Sequence, residues 1–244
     1  MIVLFTDFGA DDIYVAQVKA RLLETAPPGT VVTDLLHSVP DFDPRAGAHL
    51  LAALQSHFPL GTVFLAVIDP GVGSTRGAAV MKADERWFVG PDNGLLSVVW
   101  SRATHRRTWR ITWVPERLSA SFHGRDLFAP VAAIIAGGDL PADRLAPSDA
   151  LEVSLGADDL PEIIYIDHYG NALSGLRASA MPTTRVLRLG DARIPWARVF
   201  SDVPRGSACW YENSIGLVEV AINGGRAATE LALKIGDRVE AIAS

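Results

Sequence analysis

An α/β protein is the fold class that this 244-residue sequence predicts, with a layered N-terminal α/β domain over residues 1–150 and a smaller β-rich domain over 155–244. Three observations predict it. Short apolar runs alternate with amphipathic stretches through about the first 140 residues, the pattern of a sheet covered by helices. Beyond "LPADRLAPSDA" the segments become short, β-rich and punctuated by turns. Hydrophobic residues make up 49% of the chain, enough for one large core or two modest ones.

The elements follow in order. "IVLF" reads as a short buried strand, and "DDIYVAQVKARLLETA" as a helix that starts with acids and stops before Pro27 and Pro28. "TVVTDLL" is a second strand. "DPRAGAHLLAALQSHF" is a helix with Asp43 as N-cap and Pro44 at the first helical position, where a missing N–H costs nothing. "TVFLAVID" is a third strand, its unbroken apolar run being that of a strand covered on both faces. "NGLLSVVWSRA" and "RDLFAPVAAIIAGG" read as helices, the second ended by Gly137 and Gly138. The β-rich segments are "EIIYIDHYGNALSGL", "RVLRLGDARIPWARVF" and "LVEVAINGGRAATELALKIGDRVEAIA".

Composition excludes several functions. With 22 Lys+Arg against 28 Asp+Glu the net charge is -6, so no basic field is available to hold a phosphate backbone, and nucleic acid is not expected as a partner. The single cysteine, Cys209, cannot form an internal disulfide, and no group of thiols can hold zinc, which fits a reducing cytoplasm. The opening "MIVLFTDFGADD" has no basic leader and meets Asp7 too soon for a signal peptide or a membrane span, so residue 1 is expected to be the true start and no membrane contact is expected.

Three segments carry candidate chemistry. In "VIDPGVGSTRGAAV", Asp69 ends an apolar strand and Arg76 follows a glycine-rich turn able to fold it back onto the carboxylate. Such a pair is either a salt bridge bracing a loop or a device in which arginine's forked donors orient a carboxylate or hold a water. The glycines at 71, 73 and 77 miss the dinucleotide spacing, and no Gly-Lys-Ser/Thr ending makes a phosphate loop. Asp7, like Asp69, stands where an apolar strand ends, the edge at which open α/β sheets bind ligands. In "SFHGRDLFAP", His123 precedes a glycine at a helix entrance, either as a capping or packing residue or as a proton-handling one. In "DHYGNALSG", Tyr169, Gly170 and Asn171 make a corner that is either a plain turn or a platform for a purine, stacking on its face and bonding its edge. Acids Asp7, Asp11, Asp12 and Asp92 suggest a metal only weakly, because acids at a helix start answer the macrodipole.

Together, "TDFGADDIYVAQVKA", "VIDPGVGSTR", "VGPDNGLLS", "FHGRDLFAP", "DHYGN" and "NSIGLVEVAINGGRAA" resemble, in order and over nearly the whole chain, the adenosine-forming S-adenosyl-L-methionine (SAM) hydrolases. These are also called SAM hydroxide adenosyltransferases and are related to fluorinase and chlorinase. The resemblance implies a larger α/β domain, a smaller C-terminal β-barrel domain, and a homotrimer whose sites lie between the N-terminal domain of one subunit and the C-terminal domain of the next. It implies a catalytic triad of Asp69, Arg76 and His123, with no metal and no cofactor. Asp7 is implied to accept both ribose hydroxyls. Phe42, Phe122 and Tyr169 are implied to wall the adenosyl group, Asn171 to contact adenine or the amino acid, and Asp167 to meet the methionine ammonium. Asn213 and Ser214 are implied in an adenine-edge loop, and Asp12 and Asn93 at further substrate positions. The reaction implied is attack of water or hydroxide at the ribose C5′ carbon, giving adenosine and L-methionine. The alternatives are a halide-using adenosyl transferase and a non-catalytic binding protein. Two departures stand out: Ser174-Gly175 where relatives continue with a Thr-Asn pair, and Ala16 and Ala20 where the first helix carries small glycines. The second pair reads as a packing change.

Overall fold

Five consecutive buried residues, Ile2–Thr6, form strand β1, which pairs in parallel with β2 (Val32–Leu36) on one side and β3 (Val63–Val67) on the other. Burial of all five residues of β1 and of β3 is what their unbroken apolar runs require. The computed structural model describes residues 1–243, which fall into two units, Met1–Ala157 and the chain from Asp158 on.

In the first unit a seven-stranded sheet has the order β2-β1-β3-β5-β4-β6-β7, where β4 is Ala78–Ala83, β5 Arg86–Pro91, β6 Arg106–Ile111 and β7 Leu145–Ser148. β5 runs parallel to β3, whereas the β5–β4, β4–β6 and β6–β7 pairs are antiparallel. Helix α1 (Ile13–Thr25) begins at Asp12, whose carboxylate accepts from the Ile13 amide, and buries Val15, Val18 and Leu22. Helix α2 (Pro44–Leu54) begins at Asp43, which accepts from the Ala46 amide at 2.9 Å, as the sequence predicts. A short helix, α3, covers Ser97–Arg102. Helix α4 (Ala129–Ala136) follows a π-turn over Gly124–Phe128 and ends at Gly137.

Some expectations need correction. The helix expected over 93–103 is only the six residues of α3. Its first residues turn instead, because Asn93 takes the Leu95 amide on its side chain and Gly94 sits at φ +99°. The antiparallel strands β4 to β7 went unpredicted. The β4–β5 hairpin turns through Asp84 and Glu85, both at positive φ, with no glycine to announce it. Ala16 and Ala20 lie on the exposed side of α1, away from its buried face, so they are not core packing changes.

The second unit holds two antiparallel sheets. One has the order β12-β13-β9-β8, with β8 Leu160–Ile166, β9 Ala172–Arg177, β12 Ala208–Glu212 and β13 Leu217–Ile222. The other is β11-β10-β14, with β10 Val186–Leu189, β11 Ala192–Ile194 and β14 Glu240–Ile242. Trp210, Leu187, Ile194 and Val218 anchor the core of this unit. Ser174 and Gly175 are internal to it. Ser174 Oγ donates to the Val218 carbonyl at 2.9 Å, and a Cβ on Gly175 would lie 2.6 Å from the Leu160 Cβ. The departure at these two positions therefore serves strand packing. Among the described residues no helix is long and apolar enough to cross a membrane.

Candidate active site

β1 and β3 are parallel neighbours, so their carboxyl ends open on the same edge of the sheet, and Asp7 and Asp69 leave that edge together. The chain after β3 is fixed at once: Asn93 Nδ2 donates to the Ile68 carbonyl at 2.8 Å, and the Val72 amide donates to the Asp69 carbonyl at 3.2 Å. Ser74 then closes a tight turn by donating from its Oγ to the Gly71 carbonyl at 2.6 Å. Gly73, at φ +77°, is the position that only glycine suits. A Cβ there would sit 2.4 Å from the Ala120 carbonyl oxygen, so its absence lets the loop lie against the segment that leads to His123.

Arg76 comes back onto Asp69. Its Nε lies 2.9 and 3.1 Å from the two carboxylate oxygens, Nη2 bonds both Asp69 Oδ2 and, at 3.0 Å, His123 Nδ1, and Nη1 donates to the Gly77 carbonyl at 3.2 Å. The guanidinium also lies 5.2 Å from the centre of the Phe128 ring. The Arg76 and Asp69 side chains are only 11% and 6% exposed, so this is a largely desolvated pair and not a surface one. Arginine can only donate, and His123 Nδ1 must therefore be the acceptor. His123 is accordingly a neutral imidazole with its proton on Nε2. Burial, reinforced by the Arg76 charge, holds its pKa below the ordinary histidine value of 6.5.

Asp7, Asp41, Phe42, Asp69, Phe122 and His123 line one cleft of about 330 Å³. Asp7 Oδ2 accepts from the Phe42 amide at 3.1 Å, and burial pushes the Asp7 carboxyl above its ordinary range. Phe42 is 74% exposed and sits at φ +59°, an uncommon conformation for a bulky residue. Phe122 is buried at the cleft wall, with the Phe8 ring 5.8 Å and the Tyr14 ring 5.4 Å away, both nearly edge-on. Asp12 reaches the same cleft while capping α1. Four carboxylates and an aromatic wall make a setting for a cation carrying a flat ring. A larger hollow of about 580 Å³, lined in part by Arg21, Arg117, Arg125 and Asp126, contains none of these residues, and its Arg125 is spent on Asp126 and Gln17.

The structure thus brings together Asp7, Asp12, Phe42, Asp69, Phe122 and His123. Arg76 stands behind Asp69 and His123 and does not line the cleft, and Asn93 braces the loop. Sequence reasoning passed over Phe8, Tyr14 and Asp41, although Phe8 adjoins Asp7 and Asp41 adjoins Phe42. Among the described residues no group of three or more His, Cys, Asp or Glu side chains is placed to hold a metal ion. Asp92, from the weak acidic set, accepts instead from the Glu152 and Val153 amides.

The other candidates belong to the second unit. Asp167 accepts from the Asn171 amide at 2.8 Å and from Asn171 Nδ2 at 3.3 Å, which leaves Tyr169 at the tip of the corner, 72% exposed. The Asn213 side chain accepts from the Ile215 and Leu217 amides and donates to Glu219 Oε2, so its polar atoms hold the β12–β13 turn, with Ser214 exposed on it. Glu219 also accepts from the buried Tyr211 hydroxyl, whose pKa is raised by burial and by that carboxylate.

Comparison with known proteins places both units. The SAM hydroxide adenosyltransferase N-terminal domain matches residues 2–145, and the C-terminal domain of the same name matches residues 161–240. An (R)-S-adenosyl-L-methionine hydrolase of Thermus thermophilus is 40% identical, over 95% of this chain and 95% of its own. A protein of the same name from Salinispora arenicola is 38% identical over 98% of this chain and 96% of its own. The crystal structure of an uncharacterized conserved protein from Thermotoga maritima superimposes with a TM-score of 0.88 at 31% identity, covering 99% of both chains.

Proposed function

We propose, from the premise that this chain belongs to the SAM hydroxide adenosyltransferase family, that it hydrolyses S-adenosyl-L-methionine to adenosine and L-methionine. The observation that carries the reading is the Arg76 guanidinium, which ties Asp69 to His123 at the wall of an acidic, aromatic cleft. The sulfonium of the substrate is a cation, which the carboxylates of Asp7, Asp12, Asp41 and Asp69 favour. Its sulfur leaves as a neutral thioether, so the leaving group needs no acid, and positioning of the water is the main task. A water held in line with C5′ forms the new C–O bond as the C5′–S pair departs with sulfur, and one proton is released. His123 offers Nε2–H to the water oxygen, and Asp69 offers the lone pairs that Arg76 leaves unused to its hydrogens. Arg76 acts through both residues as a positioning group. Asp7 accepts the ribose hydroxyls, and Phe42 and Phe122 wall the adenosyl group.

The two units are read as the larger α/β and smaller β-barrel domains of a cytoplasmic homotrimer. In it the corner of Asp167, Tyr169 and Asn171, with the Asn213–Ser214 turn, completes the cleft of a neighbouring subunit. The exposure of Phe42 and Tyr169 supports this, since each presents an aromatic face with little around it. Mixing an Asp7→Ala chain with an Asn171→Ala chain, each inactive alone, is expected to restore part of the activity, because some mixed sites take both intact halves. An active monomer in light scattering would remove the shared site.

Chromatography of a reaction containing chelator tests the chemistry. Adenosine and L-methionine are expected, with both sulfonium diastereomers supplied because the relatives are named for the (R) form. A halogenated nucleoside, 5′-methylthioadenosine, or binding without turnover overturns the reading.

A further inference from the structure

The corner that carries Asp167 is gripped by a cation from another part of the same unit. Arg226 lies just beyond β13, and its Nη1 donates to the His168 carbonyl at 3.0 Å. A Cβ on Gly170 would lie 2.9 Å from the Arg226 Cβ and 3.1 Å from its Nε, so the arginine side chain lies directly on the Gly170 backbone, at φ +84°. The Ala228 amide donates to the Gly170 carbonyl at 2.8 Å and fastens the same contact. The guanidinium is therefore docked on the turn that follows Asp167 and is exposed, and among the described residues no carboxylate lies in ion-pair range of it. Its Nε–H and Nη2–H donors face no protein acceptor among those residues.

A carboxylate with spare lone pairs and a guanidinium with spare donors, set on one turn, form the couple that a zwitterion requires. We propose that Arg226 binds the α-carboxylate of the substrate's methionyl end while Asp167 faces the α-ammonium, a role that rests on the SAM reading above. Arg226 then decides between amino-acid sulfonium compounds and those lacking the carboxylate. A brace for the corner would be indifferent to that group.

The test compares SAM with its decarboxylated analogue, which keeps the sulfonium and the amine. Equilibrium binding and steady-state kinetics are measured on the intact protein and on Arg226→Gln and Arg226→Lys. A lost charge-assisted contact weakens binding by about tenfold to a hundredfold. Arg226→Gln is expected to raise the Kd and KM for SAM by that factor, to leave those for the analogue nearly unchanged, and to alter kcat little. Arg226→Lys is expected to recover part of the discrimination. Equal losses on both compounds, or no loss on either, overturn the proposal. Product analysis of the unaltered protein reads the hydrolase assignment separately, so a protein that binds SAM with this preference but releases no adenosine sinks that assignment and keeps Arg226.

Discussion

Arg76→Lys is expected to lower kcat on SAM by about a hundredfold or more, roughly 3 kcal/mol of barrier, with KM changed only a few-fold. The expectation follows from where its donors go. Nε and Nη2 engage Asp69 while Nη2 also reaches His123, so a single guanidinium sets the separation and orientation of two residues that line the cleft. Lysine keeps the charge but has one flexible ammonium, which cannot hold a carboxylate on two edges and an imidazole on a third. Were the pair an exposed brace, the change would cost only about 0 to 1 kcal/mol of stability and little rate. Its burial argues otherwise, since a displaced partner there leaves Asp69 without its desolvated counter-charge. In the proposed reading the adenosyl contacts fall to Asp7, Phe42 and Phe122, so binding should survive. A folded variant, checked by circular dichroism and SAM binding, with a near-normal rate would return Asp69 and Arg76 to the role of a loop clasp.

Much of this arrangement was legible because it is local. Asp43 followed by proline, an apolar run ending in Asp69, and glycines before Arg76 each state a backbone requirement within a few residues. What was not legible depends on long-range pairing. Strands β4 and β5 form a hairpin with no glycine turn to signal it, and the Asp84–Glu85 turn is held by the Asp84 carboxylate on the Thr104 and His105 amides, about 20 residues on. The same limit hid the site's second layer. Nothing in "GVGSTRG" tells that Gly73 abuts the Ala120 carbonyl, yet that approach is what carries His123 to Arg76. Tyr14 was hidden as well, because a tyrosine in the first turn of a helix has no local reason to face a cleft formed by two strand ends.

His123→Gln is expected to cost about 100-fold to 1,000-fold in kcat, the range for disturbing one preorganised hydrogen-bond donor, and the wild-type pH profile tells how. Neutral His123 accepts from Arg76 at Nδ1, so protonation there breaks that bond and places two cations side by side. Burial first, and then the Arg76 charge, depress the His123 pKa below 6.5. The sign is fixed by this: the neutral, active form predominates at 6.5 and above, and it is lost as pH falls through the depressed value. The kcat/KM of the wild type should therefore stay level through neutrality and down past 6.5, then fall on the acid side. The glutamine variant, with nothing to titrate at that position, should lose this acid limb along with its rate. Asp7 titrates too, its carboxyl raised by burial; read as the ribose ligand it enters kcat/KM through KM, so the His123 limb is the one that also appears in kcat. An acid limb that persists unchanged in His123→Gln would assign the titration to Asp7 or another carboxylate. A glutamine variant with full activity would leave His123 as a packing residue behind Phe122.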